Sequence, residues 1–255
     1  MLFTNMSFIG IDPTAGQRPF AYAALDNDLR LLAIGQGTFE EILAFVAGQR
    51  QAMVAVCAPR QPNQGVMARP EVREQLSPPP RPGRWSNFRM AEYLLCQHNI
   101  KAPQTRSQAE NCPNWMQMSF SLHNRLKGLG YQAYPTSDSH HQSIEVYPHA
   151  CFATMLEVIP LPKHSLEGRI QRQLALYEHN INVPDPMRLF EEITRHRLLQ
   201  GILPDNDLHS PGELDALVGA YTAWLTTTKP DQVTLIGDPE EGQIAVPVPE
   251  LKARY

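Results

Sequence analysis

FIGIDPTAG, Phe8–Gly16, sets an apolar run directly before one carboxylate and a proline. Phe8 to Ile11 read as a buried strand, and Pro13 ends it because proline has no N–H to continue a ladder. Asp12 therefore sits at the tip of a strand that heads into the core. Two readings of it are open. Its oxygens can accept turn N–H groups from Thr14 to Gly16. Alternatively, the acid serves a site at the strand's end.

Working outward, PFAYAALD and RLLAIGQGT are parted by Asn27 and Asp28, a short polar gap that reads as a hairpin. The three runs predict an antiparallel meander. TFEEILAFVAGQRQ then opens with Thr38 and carries Glu41 three residues on, a capping box before a helix with Phe39, Ile42, Leu43 and Val46 on one face. MVAVCAP is a short strand stopped by Pro59. A strand-helix-strand crossover of this kind places the new strand parallel in the same sheet.

Residues 61–84 are rich in Pro, Arg and Gln and read as a long loop, a lid or a partly disordered segment. WSNFRMAEYLLCQHNI and NWMQMSFSLHNRLKGLG form a helical insertion over 85–130. QSIEVYP is a further strand. HACFATML, LEGRIQRQLALYEH, MRLFEEITRHRLLQG and GELDALVGAYTAWLTT read as helices, and QVTLIGDPEEGQIAVPV as two short strands about a DPEEG turn. The order predicts one α/β domain over 1–255.

Bulk properties exclude several classes. The net charge of −4 leaves no global basic footprint for nucleic acid, although a local basic groove remains open. No run approaches eighteen apolar residues, so no membrane span is expected. The start, MLFTNMSFIGID, has no basic n-region or cleavage site, so no secretory signal is expected. Cys57, Cys96, Cys112 and Cys151 lack CxxC spacing, which suits a reduced, cytoplasmic protein better than a disulfide framework. GxGxxG, P-loop and GxSxG motifs are missing, which disfavours nucleotide binding by those routes.

Three carboxylates hold informative places: Asp12, Glu145 inside IEVYP, and Asp215 among Leu, Ala, Val and Gly in a helix. Gathered acids repel and lose hydration, and a hard divalent cation removes that cost. Mg²⁺ takes a few carboxylate oxygens and keeps waters for substrate phosphates. Each acid also has a plain reading: a turn anchor for Asp12, a solvated sheet face for Glu145, a helix-dipole partner for Glu213 and Asp215.

FIGIDPTAG, MVAVCAP, IEVYPHACF, LEGRIQRQLALY and ELDALVGAYTAWL occur in the order seen in a family of unknown-function proteins predicted to be RNase H-like nucleases. The chain resembles that family from about Phe8 to Val248. The resemblance implies a mixed five-stranded sheet flanked by helices, with the first and fourth strands adjacent and acids gathered at their ends. It implies Asp12, Glu145 and Asp215 as catalytic ligands of Mg²⁺ or Mn²⁺, and metal-dependent hydrolysis of nucleic-acid phosphodiesters. LPKHSLEGRIQRQ offers Lys163, Arg169 and Arg172 as phosphate contacts, against the plain reading of a solvated helix face. FRMAEYLL adds Arg89 and Glu92, for which a helical salt bridge is the plain reading. Arg69, Arg73, Arg81 and Arg84, followed by Trp85, Phe88 and Tyr93, could stack on bases or dock a helix on the core.

One departure stands out. The family usually has an acid where this chain has Cys57, and a thiol does not replace a carboxylate toward a hard ion. Glu145 compensates, or the thiolate takes a softer metal such as Mn²⁺ or Zn²⁺, or the chain is a non-catalytic scaffold that binds nucleic acid or a protein partner. Cys57 as a small buried apolar side chain is the plain alternative.

Overall fold

A computed structural model of the chain describes residues 6–13, 19–81, 83–136 and 139–255. Strand β1 (Ser7–Asp12) pairs antiparallel with β2 (Phe20–Leu25), and β2 with β3 (Leu31–Gly37). Helix α1 (Phe39–Ala47) begins with the expected box: the Glu41 N–H donates to Thr38 Oγ1 at 3.3 Å, and the Thr38 N–H donates to Glu41 Oε2 at 2.7 Å. The chain then enters β4 (Ala52–Val56), parallel to β1.

Two short helical pieces follow inside the stretch expected to be a loop, a 3₁₀ turn at Val66–Ala68 and α2 (Pro70–Glu74). They form because Val66 and Met67 are buried and arginines satisfy the loop. Arg73 donates to the carbonyls of Met67, Pro80, Arg81 and Arg84, and Arg69 grips Glu240 with two bonds of 2.6 and 2.7 Å. Trp85 meets Phe88 and Tyr93 edge to face, so these aromatics pack on one another. Helices α3 (Met90–Gln97) and α4 (Asn114–Gly128) follow, then β5 (Gln132–Ala133) and β6 (His141–Val146).

Helices α5 (Pro148–Leu156) and α6 (Leu166–Glu178) come next. The helix expected over MRLFEEITRHRLLQG is instead two, α7 (Arg188–Glu192) and α8 (Arg195–Leu199). Ile193 and Thr194 are extended, and Thr194 caps the second helix by accepting from the Arg197 N–H at 3.2 Å. Helix α9 (Pro211–Thr228) and the hairpin β7 (Thr234–Ile236) and β8 (Ile244–Val246) complete the chain.

Among the described residues the sheet has eight strands, not five: the order is β3-β2-β1-β4-β6-β8-β7, with β5 also on β6. The additional strands arise because β8 pairs parallel with the end of β6 and carries β7 with it, while β5 pairs with the start of β6. The two faces bury different helices. Phe8, Met53, Ala55, Ile144 and Val146 pack under Leu214, Leu217, Val218 and Tyr221 of α9. Ile9, Ile11, Val54 and Val56 pack against Ile42, Leu43 and Val46 of α1 and Leu122 and Leu126 of α4.

Helix α9 is apolar nearly all round, as a helix enclosed by other elements must be. It meets β1 with no side chain between them: a methyl on Gly10 would overlap the Ala216 carbonyl and the Ala220 amide. No helix among the described residues is long and apolar enough to cross a membrane.

Candidate functional site

Alternation along β1 puts Phe8, Gly10 and Asp12 on the α9 side. The Cys57 N–H donates to the Ile11 carbonyl at 2.8 Å, so the tip of β4 lies beside the tip of β1. Cys57 has the parity of Met53 and Ala55 and also faces α9. Above them α9 is fixed at its start by a second capping box, in which Ser210 Oγ accepts from the Glu213 N–H and Glu213 accepts from the Ser210 N–H at 2.8 Å. Glu213 is thereby spent on the cap. Asp215, two residues on, is turned inward and only 4 % exposed.

These residues open on a cleft of about 790 Å³. Its charged walls are Asp12, Asp215, Lys101, Lys163 and Arg172, with His149, Trp115 and Tyr147 beside them. Lys163 Nζ donates to Asp215 Oδ2 at 2.7 Å. Burial, then the Asp215 charge, pushes the Asp12 pKa up to about 8, with Lys163 acting the other way. Burial opposes the charge on Lys163, but Asp215 and Asp12 outweigh it and hold its pKa above the ordinary value. Burial, then Asp12 and Asp215, raises the Cys57 thiol, so it stays protonated and donates to the Asp215 carbonyl at 3.2 Å. Burial and Arg172 lower the pKa of His149. Thr14–Gly16, the alternative partners for Asp12, lie outside the described residues.

Glu145 is not in this cleft. It pairs in register with Val56, whose side chain faces α1 and α4, so the parity that brings Ile144 and Val146 to α9 turns Glu145 to the other face. There Arg89 grips it through bonds of 2.7 and 2.9 Å, and the Arg60 N–H adds a third at 2.9 Å. The expectation that Glu145 joins Asp12 and Asp215, or stands in for the acid missing at Cys57, is therefore corrected.

Arg89 is corrected with it. It is fully buried, and Nη2 also donates to the carbonyls of Glu241 and Gly242, so no phosphate can reach it. Glu92 makes no side-chain pair with Arg89. It accepts from the Arg89 N–H at 3.1 Å and from Thr105. Arg169 is spent on Asp205 and on the carbonyls of Leu208 and His209, bracing the loop before α9. Arg172 lies 5.3 Å over the Phe152 ring and donates to Leu161 and Gly168, yet it still lines the cleft.

Sequence reasoning missed Lys101, Trp115, Tyr147 and His149. Tyr147 and His149 were within reach: they follow β6 directly, and crevices form beyond the carboxyl ends of parallel strands. Lys101 and Trp115 come from the helical insertion and carry no local signal.

Fold and cleft together define a mixed α/β domain with a two-acid, three-cation cleft where its parallel strands end against α9. The chain belongs to a family described as protein of unknown function (DUF429), which matches residues 10–241. Comparison with curated proteins and with solved structures gives no match.

Proposed function

We propose that this protein is an RNase H-like nuclease that hydrolyses nucleic-acid phosphodiester bonds with the aid of Mg²⁺ or Mn²⁺ at Asp12 and Asp215. The observation that carries the reading is the pairing of two carboxyl groups, Asp12 and Asp215, in a cleft whose other charged walls are cationic. The sheet order β3-β2-β1-β4-β6 supports it, since a meander followed by parallel strands, with the first and fourth adjacent, is what the resemblance implies.

The donor set suits an ion held by two carboxylates with its remaining positions left to water and substrate. Among the described residues no three His, Cys, Asp or Glu side chains gather to hold one. When bound, the ion supplies Lewis-acid stabilisation of charge on phosphoryl oxygens. The chain's own residues do the rest. Lys163 fixes the Asp215 carboxylate, Lys101 offers a cation to phosphate oxygens, Arg172 adds positive field from the buried wall, and Trp115 and Tyr147 offer faces for bases. The four cysteines are free, which suits the reducing cytoplasm.

The test is calorimetry with Mg²⁺ and Mn²⁺ on the wild type and Asp12→Asn, run beside cleavage of labelled single- and double-stranded DNA and RNA. The reading expects millimolar or tighter binding that the variant loses, and ion-dependent cleavage. No binding at millimolar ion removes its mechanism.

A second reading, a non-catalytic scaffold that binds nucleic acid or a protein, is favoured by Cys57 in the acid's place and by Lys163 already seated on Asp215. Ion binding that appears only in Cys57→Asp would select it.

A further inference from the structure

The sheet face away from α9 carries a second cleft, of about 400 Å³. Arg60 enters it from just beyond β4, His123, Asn124 and Lys127 from α4, Gln132 from β5 and Ser143 from β6. His123 and Lys127 are one turn apart and so share a helix face. Ser143 has the parity of Glu145, which places it on this side of the sheet.

The chemistry of the cleft is one-sided: among the described residues two cations line it and no carboxylate does. The Arg60 guanidinium is half-buried and has no ion pair or hydrogen-bond acceptor among the described residues. Glu145 is the carboxylate that acts on it, and Arg89 already holds both Glu145 oxygens. His123 is 7 % exposed, and its Nε2 is buried without a partner. A buried polar atom left unpaired is destabilising, and a ligand in the adjoining cleft is one partner that would pair it.

We propose that this cleft binds a phosphate monoester with a small polar body, of sugar-phosphate size. Arg60 and Lys127 take the phosphate, His123 Nε2 accepts from a hydroxyl of the ligand, and Asn124, Gln132 and Ser143 meet its other hydroxyls. The volume exceeds what bare phosphate fills and falls in the range of small-ligand sites. The inference does not rest on the nuclease reading, because it uses the other face of the sheet and none of the acids at the first cleft.

The test is calorimetric titration of the full chain with inorganic phosphate and with ribose 5-phosphate, alongside the ring ¹⁵N signals of His123. The sugar phosphate is expected to bind below millimolar and to shift the Nε2 resonance. Arg60→Gln and Lys127→Gln should each weaken it by about tenfold, the loss of one charge-assisted contact. Lys127 is exposed, so its variant keeps the fold and the test stays decisive. Asp12→Asn should leave the affinity unchanged. Three results would overturn the proposal: no binding up to about 10 mM, an affinity indifferent to both cation substitutions, or binding lost in Asp12→Asn, which would seat the phosphate in the first cleft.

Discussion

Asp12→Asn should change how stability depends on pH, and the size of the change follows from the site. The Asp12 carboxyl is raised from the ordinary 3.8 to about 8, first by burial and then by Asp215, with Lys163 opposing. The folded protein therefore keeps a proton there that the unfolded chain releases. Stability falls as pH rises from the unfolded value, and the loss is complete once pH passes the folded value. Between about pH 5 and about pH 9 the full effect is roughly 4 kcal/mol, at about 1.4 kcal/mol per pH unit. Asp12 is partly exposed and water screens part of this, so about 2 kcal/mol is expected. Asparagine carries no such slope. Urea unfolding followed by tryptophan fluorescence, without divalent ions, should show the variant gaining about 2 kcal/mol on the wild type across that range. Parallel curves for the two proteins would refute the reasoning. Under the nuclease reading, added Mg²⁺ should narrow the gap at high pH.

Three other substitutions probe the surrounding construction. Lys163→Met breaks a pair whose lysine is 42 % exposed, so unfolding by urea should change by less than about 1 kcal/mol; the Asp12 carboxyl midpoint, followed by ¹³C NMR, should move up, since Lys163 holds it down. Glu145→Gln leaves Arg89 charged and buried, so a loss of about 3–5 kcal/mol is expected, with ion affinity at the first cleft unaltered. Gly10→Ala drives a methyl into the α9 backbone, and calorimetry should record a fall in Tm on the order of 10 °C or a failure to fold.

Much of the scaffold was legible because each apolar run ends at a proline or a polar turn, and because Thr38 and Glu41 announce α1 in three residues. Asp12 and Asp215 could be picked out as acids in apolar company. Their partnership could not, because it depends on how α9 lies across β1. Glu145 shows the limit most clearly. Strand β6 is buried on both faces, so no alternation of polar and apolar residues reveals which way a given position points. A shift of one residue would have brought that acid to the cleft. The stretch 61–84 read as a loop because its order comes from arginines reaching backbone carbonyls and from Glu240, far away in sequence. The break between α7 and α8 was hidden because Thr194 is an ordinary helix residue until its hydroxyl is seen capping.

The absence of any side chain between Gly10 and α9 has a mechanical consequence. Gly219 repeats the device one turn on: a methyl there would meet Cys57 Sγ at 3.0 Å and the Gly10 Cα at 3.5 Å. Backbone rests on backbone, so the helix can neither slide nor lift without opening the core. Asp12 is carried by one of these rigid bodies and Asp215 by the other. Their repulsion cannot be eased by moving α9 off β1, and charge answers it instead: a proton, the Lys163 ammonium or a cation from solution. This close backbone joint thus makes the cleft responsive to the electrolyte around it, with no hinge involved.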